Sequence, residues 1–351
     1  GCGKVFHTGE AHHPIEVWDR FFQQVKDPNV RPPMHGIEAL KNSTKNDDFD
    51  WGRQTISDLE TGDGQVVQWA MDQLEQDYDK PLFMVVGIFR PHLPLYAPEE
   101  HFDRFSLSEV QTPVRPSQDL DDIPRVGLAL REYEKQYFEE TDRVGRVNEV
   151  VQAYLASCSL ADALVGRMLQ AWDDSRYAKD AIIVLWSDHG WHLGEKNKFQ
   201  KHALWEPATR VPLLFVVPGL TESGSRSPEA VSLIDLYPTL MDLCGMEVSN
   251  TLDGESLRPL LADPDGSRES PAVITFGFRN HAIRDERWNY IRYHDGTEEL
   301  YDMWLDPNEW TNLAGVPQLF PIKERLSVWL PESNAPPQLP EAFPNTLPAL
   351  R

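Results

Sequence analysis

The chain has 351 residues, 40% of them hydrophobic and 25% charged, which is typical of a soluble globular protein with room for a main domain and a smaller one. Its net charge of −23 argues against nucleic acid and anionic membrane surfaces as partners, because neutralising phosphates requires a basic face. The three cysteines form no CxxC pair and are too few for a disulfide framework, and no apolar run reaches the roughly 18 residues that span a membrane.

The first segment with candidate functional residues is a glycine-rich turn at residues 1–9. It carries Lys4 and His7, three positions apart, which face the same side of a helical turn. Taken alone, an exposed lysine and an incidental histidine explain this turn equally well. Residues 10–64 show little periodicity and are rich in Pro, Asn, Asp and Gly, so we expect a long surface excursion.

A helix and a strand that ends at a histidine follow. Residues 65–78 place apolar side chains at helical spacing, and residues 82–89 form an apolar run that predicts a strand. His92 comes just after the strand, between Pro91 and Pro94, whose rings restrict the backbone. A buried structural histidine is the alternative, but a side chain fixed at the end of a strand favours a ligand.

The clearest helix is predicted at residues 149–174. Cys158 lies on its apolar stripe, so we interpret this cysteine as part of the core. The helix leads into residues 181–186, a continuous apolar run rich in β-branched side chains. Such a run predicts a strand buried on both faces, as in a parallel sheet.

An acid and an imidazole stand side by side where this strand ends. Asp188 and His189 occupy the turn, and Lys201 follows thirteen positions after the aspartate. In open α/β sheets, ligands bind at the carboxyl ends of the strands. The alternative is a helix-capping aspartate next to a histidine that is satisfied structurally.

The remaining pattern completes a main domain and predicts a boundary. A strand at residues 211–217 and a helix at 232–244 continue the α/β pattern, and a cluster of Asp, Pro, Gly and Ser at 263–267 is typical of a linker. We therefore divide the chain into a main domain of residues 1–262 and a C-terminal subdomain of residues 263–351.

The C-terminal subdomain changes to short strands separated by turn residues, which predicts a small antiparallel sheet. The strands are expected at residues 272–278, 281–284, 288–293 and 299–301. A helix at 321–329 is expected to pack on this sheet. The predicted fold class is α/β, with a mostly parallel sheet between helices and a small C-terminal antiparallel sheet with a helix.

The predicted sheet-end loops and the N-terminal turn offer a mixed set of polar side chains: Lys4, His7, His92, Asp188, His189 and Lys201. This mixture suits a site that binds one cation and stabilises an oxyanion during group transfer. Carboxylate oxygens are the natural ligands of a hard cation. Lysines would neutralise substrate oxygens, and a histidine would protonate a leaving oxygen or take a proton back.

Several motifs carry a family resemblance, and they occur in a fixed order. They are Gly3-Lys4-x-x-His7, Arg90-Pro91-His92, Ser187-Asp188-His189-Gly190-Trp191-His192-Leu193-Gly194-Glu195, Lys201, residues 205–212, Asp253-Gly254-x-Ser256-Leu257 and residues 299–313. In these positions the chain resembles the type I sulfatases of the alkaline-phosphatase superfamily over nearly its whole length. It is most similar to the iduronate-2-sulfatase-like branch, and the resemblance implies the alkaline-phosphatase-like fold.

The resemblance implies hydrolysis of a sulfate ester, on a carbohydrate or another small molecule, with one calcium ion and a formylglycine nucleophile. By matched position, Asp188 and His189 would lie at the calcium, and Lys4 and Lys201 would bind the sulfate. The same resemblance implies a periplasmic or extracellular location. It leaves the oligomeric state open.

Matched positions also assign the remaining histidines. His7 and His92 would lie beside the nucleophile and the leaving oxygen, and His192 would lie in a substrate-facing loop.

The chain departs from the family pattern at the nucleophile. The family motif Cys/Ser-x-Pro-x-Arg is absent, since Cys2 is followed by Gly-Lys and Cys244 by Gly-Met. The paired aspartates that complete the calcium site in the family are absent too. Because both features lie upstream of the GKxxH turn in the family, we expect an N-terminally truncated sulfatase that is inactive alone. Calcium-dependent turnover of an aryl sulfate by the isolated chain would contradict this expectation.

Two other interpretations stay open. The first is a phosphodiesterase or phosphonate hydrolase of the same superfamily, which often has more ligands for two metals, whereas one Asp-His pair followed by Lys201 favours one cation. The second is a non-catalytic relative that keeps the pocket, which requires that the native reading frame begins near Gly1.

Overall fold

The chain is described by a computed structural model over residues 1–6, 15–23, 25–27, 49–132 and 135–335. It forms two compact units, which are treated separately below. The first unit comprises Gly1–Thr112 and Gln136–Ala181, and the second comprises Pro113–Lys135 and Ile182–Arg351. Among the described residues, no helix is both long and apolar enough to cross a membrane.

The helices range from single turns to one long helix of the first unit. The α-helices are α1 (Gly62–Leu74), α2 (Glu99–Asp103), α3 (Arg125–Arg131), α4 (Lys135–Arg143), α5 (Val147–Asp173), α6 (Glu206–Thr209), α7 (Leu236–Leu243), α8 (Arg258–Ala262) and α9 (Phe320–Ser327). Short 3₁₀ turns cover Ile15–Val17, Asp58–Glu60, Glu195–Asn197, Leu233–Asp235 and Pro317–Leu319.

The strands are short throughout. They are β1 (Cys2–Gly3), β2 (Phe22–Gln23), β3 (Trp51–Gln54), β4 (Val86–Gly87), β5 (Leu95–Pro98), β6 (Ile183–Trp186), β7 (His192–Leu193), β8 (Phe199–Gln200), β9 (Leu213–Val216), β10 (Ala272–Thr275), β11 (His281–Arg284), β12 (Trp288–Arg292) and β13 (Glu298–Asp302).

The first unit is built on parallel strands covered by helices. Strand β1 lies between β2 and β4, parallel to both, and β3 pairs in parallel with β5. Helix α1 begins after Thr61, whose side-chain oxygen accepts a hydrogen bond from the Gly64 amide, a typical N-terminal cap. Its buried side chains Val66 and Ala70 pack on Cys2 of β1, and α5 packs against α1.

The second unit contains antiparallel pairs and a four-stranded sheet. Strand β6 pairs with β9, and β7 pairs with β8. Strands β10 to β13 pair in chain order, each antiparallel to the next. Because side chains alternate across a strand, Tyr290 packs with Leu326 of α9, whereas its neighbour Ile291 packs with Leu130 of α3 and with Trp205.

Most predicted helices and the C-terminal strands are confirmed. The predicted helix 149–174 is α5, the prediction at 65–78 corresponds to α1, and the helix at 321–329 corresponds to α9. In the C-terminal sheet the four predicted strands match β10 to β13 within three residues at each end. The predicted boundary between residues 262 and 263 stays a prediction, and much of the predicted excursion at 10–64 lies outside the described residues.

Two strand predictions were wrong in detail. Of residues 82–89 only Val86–Gly87 pairs, because its partner β1 offers only two residues. Residues 181–186 were predicted to be buried on both faces of a parallel sheet. Instead β6 runs antiparallel to β9, and Leu185 and Trp186 are 38% and 41% exposed. An apolar run indicates that a segment is hydrophobic, but it does not indicate the direction of the neighbouring strand, which tertiary pairing determines.

Candidate active site

A first group of predicted site residues meets in the first unit, where β1 and β4 end side by side. The Lys4 amide donates a hydrogen bond to the Gly87 carbonyl over 2.7 Å. The Lys4 ammonium lies 6.0 Å from the centroid of the Phe89 ring, and the His92 ring centroid lies 4.7 Å from the same ring. The Nδ1 atom of His92 is 2.7 Å from the Leu93 carbonyl oxygen, which fixes the ring. Lys4 and His92 therefore both lie near the ring of Phe89.

Glycine makes the close approach of β1 and β4 possible. Gly3 has φ +72°, and a Cβ atom there would lie 2.1 Å from the Gly87 carbonyl oxygen. A Cβ atom on Gly87 would in turn lie 2.3 Å from the backbone of Lys4. Side chains at these two positions would push the lysine away from β4.

A buried aspartate that the sequence analysis missed holds the turn after β4. The Asp63 carboxylate accepts hydrogen bonds from the Phe89 amide over 2.8 Å and from the Arg90 amide over 2.9 Å. The Arg90 guanidinium donates to Asp27 over 2.6 Å and to the Tyr96 carbonyl over 2.8 Å. Asp63 lies in the first turn of α1, where negative charge is favourable. An acid at a helix start is too common to have signalled this role.

A second group meets in the second unit, just after β6. The Asp188 carboxylate lies 3.7 Å from Nε2 of His189, and the Asp188 side chain is 75% exposed. Burial lowers the pKa of His189, and the charge of Lys201 lowers it further. Lys201 is therefore close enough to His189 for its charge to act on the ring.

The turn that carries the pair is held against α6. The Gly190 amide donates to the Ala208 carbonyl over 2.8 Å, and a Cβ atom on Gly190 would lie 2.2 Å from the Pro207 carbonyl oxygen. The Ser187 hydroxyl donates to the His189 carbonyl over 2.9 Å. This packing explains why a glycine follows the histidine.

His192 does not face solvent as a residue in a substrate-facing loop would. Its ring is 0% exposed, with Nδ1 3.0 Å from the Gln200 carbonyl oxygen, and lies edge-on to Trp205. Its Nε2 atom has no hydrogen-bond partner among the residues that the structure describes. Burial, with the charge of Lys198 as a smaller cause, lowers the pKa of His192 to about 3, so the ring is neutral at physiological pH. The predicted His7 lies outside the described residues.

The family profile described as "Sulfatase" matches residues 16–246, which is more than half of the chain. The chain belongs to the sulfatase family. A second profile, "N-sulphoglucosamine sulphohydrolase, C-terminal", matches residues 194–335.

Curated relatives of this sulfatase agree with that assignment. A "Sulfatase" of Formosa agariphila is 38% identical over 343 residues, which cover 95% of this chain and 67% of the relative. "Arylsulfatase K" of Mus musculus is 28% identical over 343 residues, which cover 89% of this chain and 59% of the relative. The relatives are thus sulfuric ester hydrolases, and the chain spans about three fifths to two thirds of their length.

Solved structures support the predicted alkaline-phosphatase-like fold. A 2-O GAG sulfatase superposes with a TM-score of 0.65 at 20% identity, covering 89% of this chain and 66% of the other. A phosphonate monoester hydrolase from Silicibacter pomeroyi superposes with a TM-score of 0.68 at 23% identity, covering 79% of this chain and 60% of the other. At such identities the likeness concerns the fold alone.

Two of the three cysteines of the sulfatase chain are poor nucleophiles. Burial raises the pKa of Cys2 to about 12 and that of Cys158 to about 11. Cys244 is exposed at the end of α7, but its sequence context is Cys-Gly-Met. Thiolates are the reactive form of cysteine, so the buried Cys2 and the half-buried Cys158 are poorly suited to nucleophilic chemistry.

The donor chemistry of the Asp188–His189 pair fits a calcium site in part. The exposed Asp188 carboxylate is a suitable ligand, but calcium takes six to eight oxygen ligands, so more donors are required. The described residues contain one set of three clustered ligand groups, formed by Asp58, Glu100 and His101 in the first unit. His101 is fully buried there between Asp58 and Ser159, with hydrogen bonds of 2.8 and 2.9 Å, which is a structural arrangement.

Proposed function

We propose that the protein to which this chain belongs hydrolyses sulfate esters of carbohydrates, using calcium and a formylglycine nucleophile. The observation that carries the proposal is the Asp188–His189 pair after β6, within electrostatic range of Lys201, in a chain of the sulfatase family. An exposed carboxylate suits a bound cation, and a lysine charge nearby suits an anionic substrate.

The proposed roles follow the chemistry of each side chain. Asp188 and His189 would hold calcium, which when bound supplies positive charge next to the sulfate. The ammonium groups of Lys4 and Lys201 would bind the sulfate oxygens and stabilise the negative charge that develops on them.

Histidines would act as the general acid and base. His92, anchored at the Leu93 carbonyl, would give a proton to the leaving oxygen or take one back, and His7 would share this task. For His192 we now favour a supporting role over the predicted substrate contact, because its ring is fully buried and contacts the backbone of Gln200, next to Lys201.

The formylglycine is proposed to belong to a part of the protein outside these 351 residues. The reason is chemical: the sequence holds no Cys/Ser-x-Pro-x-Arg motif, and the thiols of the buried Cys2 and the half-buried Cys158 have raised pKa values. We also propose a periplasmic or extracellular location, where sulfated polysaccharides occur. Assignment to the iduronate-2-sulfatase-like branch likewise stays a prediction.

The test is an assay of the full protein on an aryl sulfate, with Lys201→Met and His92→Gln variants. Each substitution removes a group that acts on the transferred sulfate or the leaving oxygen, so kcat/KM should fall by about 100-fold or more. Lys323→Met and His294→Gln are the controls, because Lys323 donates a hydrogen bond to Glu298 of β13 and His294 bonds with Asn280, just before β11. Wild-type rates in both site variants would contradict the proposal.

The second candidate is hydrolysis of phosphate diesters or phosphonate monoesters. A solved phosphonate monoester hydrolase shares the fold, with a TM-score of 0.68 at 23% identity, and the fold alone does not separate the two reactions. The same assay with an aryl phosphonate monoester, together with the number of bound metal ions per protein, separates the two. A higher kcat/KM on the phosphonate would favour this candidate.

A further inference from the structure

The segment that carries Lys201 has an unusual backbone. Residues 194–201, called the lysine loop below, include Lys196 at φ 54°, Asn197 at φ 51° and Gln200 at φ 74°. Left-handed conformations are unfavourable for residues with a side chain. Three of them within five positions persist only where the surroundings impose them.

One arginine binds the two consecutive left-handed residues. Arg131, at the end of α3, is 8% exposed. Its Nε atom donates to the Lys196 carbonyl over 2.5 Å, and a terminal nitrogen donates to the Asn197 carbonyl over 3.0 Å. The planar guanidinium has the fork geometry that two neighbouring acceptors require.

The side chain of Lys196 anchors the same loop from the inside. It is 2% exposed, and its ammonium group donates to the Asp119 carboxylate over 2.5 Å and to the Glu309 carbonyl. The ammonium also lies 5.8 Å from the Trp205 ring centroid and 5.7 Å from that of Tyr301. A buried charge needs such partners, and they fix its position.

We infer that Arg131 and Lys196 are positioning residues that hold the lysine loop in the one backbone conformation that presents Lys201 to the substrate sulfate. The inference rests on the proposed function, because it takes Lys201 as a sulfate ligand. Neither residue needs to contact substrate. Arg131 fixes the carbonyls of residues 196 and 197, Lys196 fixes the loop to the interior, and Lys201 follows directly after the left-handed Gln200.

The test measures inorganic sulfate binding to the full protein by calorimetry. Lys201→Met should raise the dissociation constant about ten-fold or more, and Arg131→Gln and Lys196→Met should raise it by about three- to ten-fold. Arg131→Lys, which reaches one carbonyl in place of two, should give an intermediate value. Because the positioning residues act through Lys201, adding either substitution to Lys201→Met should cause no further loss.

Controls and a second readout separate positioning from general destabilisation. Arg125→Gln removes an exposed arginine from the same helix, and Lys323→Met removes an ion-paired lysine elsewhere in the second unit; both should bind sulfate as the wild type does. Hydrogen exchange across residues 194–201 should be faster in Arg131→Gln than in Arg125→Gln. If Arg131→Gln does not fold, Arg131→Lys supplies the decisive dissociation constant.

The possible results distinguish a failure of the proposed function from a failure of the positioning role alone. Sulfate binding that is absent in the wild type, or unchanged in Lys201→Met, would contradict the proposed function itself. Weakened binding in Lys201→Met with wild-type binding in all the Arg131 and Lys196 variants would overturn only the positioning role. Losses that add fully in the double variants would overturn it as well, because the positioning residues would then act on sulfate independently of Lys201.

Discussion

At the scale of single residues, the second unit contains a carboxyl group whose environment opposes its ionisation. Glu309 is 1% exposed, and burial raises its pKa to about 8, although the Asn289 amide and the Glu206 backbone amide donate hydrogen bonds to it. Its backbone carbonyl also receives the Lys196 ammonium. The protonation of Glu309 is thus linked to the stability of the fold around the lysine loop.

We expect this carboxyl group to make stability depend on pH. The pKa is raised in the folded protein, so protonated Glu309 stabilises the fold below its usual pKa near 4.5, and this contribution is lost as the pH rises towards about 8. Relative to Glu309→Gln, the wild type should lose up to about 1.4 kcal/mol per pH unit in this window. Urea unfolding at a series of pH values measures the difference. A difference that stays constant with pH would contradict the prediction.

The exposed Asp188 gives a second prediction at this scale. Calcium that binds the folded protein raises the unfolding temperature by mass action, so added calcium should stabilise the wild type and have a much smaller effect on Asp188→Asn. Asp180→Asn, at an exposed position, is the control. Equal calcium stabilisation of wild type and Asp188→Asn, measured by thermal unfolding, would mean that the ion binds elsewhere.

At the scale of elements, sequence periodicity predicted those helices and strands that the local sequence determines. Helices α1 and α5 and strands β10 to β13 follow from apolar spacing and turn residues. The direction of β6 and the shortness of β4 did not follow, because pairing partners distant in sequence set both. The same limit applies to the candidate site: Lys4, Asp188 and Lys201 were predicted from motifs and stay predictions, whereas the buried Lys196 and Asp63 make tertiary contacts that no motif indicates.

Two glycines should respond in opposite ways to the same substitution. Gly3→Ala should destabilise the protein by about 2–5 kcal/mol, since φ is +72° and the new Cβ atom would lie 2.1 Å from the Gly87 carbonyl oxygen. Gly166→Ala in α5 should stabilise it by about 0.5–1 kcal/mol, because alanine favours helices and its Cβ atom meets nothing within 4 Å. Chemical unfolding of both variants checks the signs, and a neutral Gly3→Ala would show that β1 and β4 separate freely.

At the scale of the whole molecule, the net negative charge disfavours the approach of the proposed anionic substrate. These 351 residues carry a net charge of −23, so their long-range field repels a sulfated carbohydrate, whereas local cations such as Lys4 and Lys201 attract it. Salt screens distant charges more than close contacts. Repulsion by the net negative charge should therefore slow substrate association, and added salt should speed it up because salt screens this repulsion.

This balance predicts an unusual salt response. Raising NaCl from roughly 0.01 M to roughly 0.15 M should increase kcat/KM on a sulfated saccharide about two- to five-fold, with a larger effect for a polysulfated than for a monosulfated substrate. The measurement is initial rates at subsaturating substrate, with the enzyme's fold monitored in parallel. A fall in kcat/KM with salt would indicate that a local positive field dominates the approach.

The three cysteines differ in exposure and in pKa, and this difference is useful for labelling the chain. Cys2 and Cys158, with pKa values of about 12 and 11, carry almost no thiolate at neutral pH, while Cys244 is exposed directly after α7. A maleimide dye or spin label should therefore attach at a single place in the unaltered chain. Fluorescence or electron paramagnetic resonance could then follow the second unit from that position without any engineered cysteine.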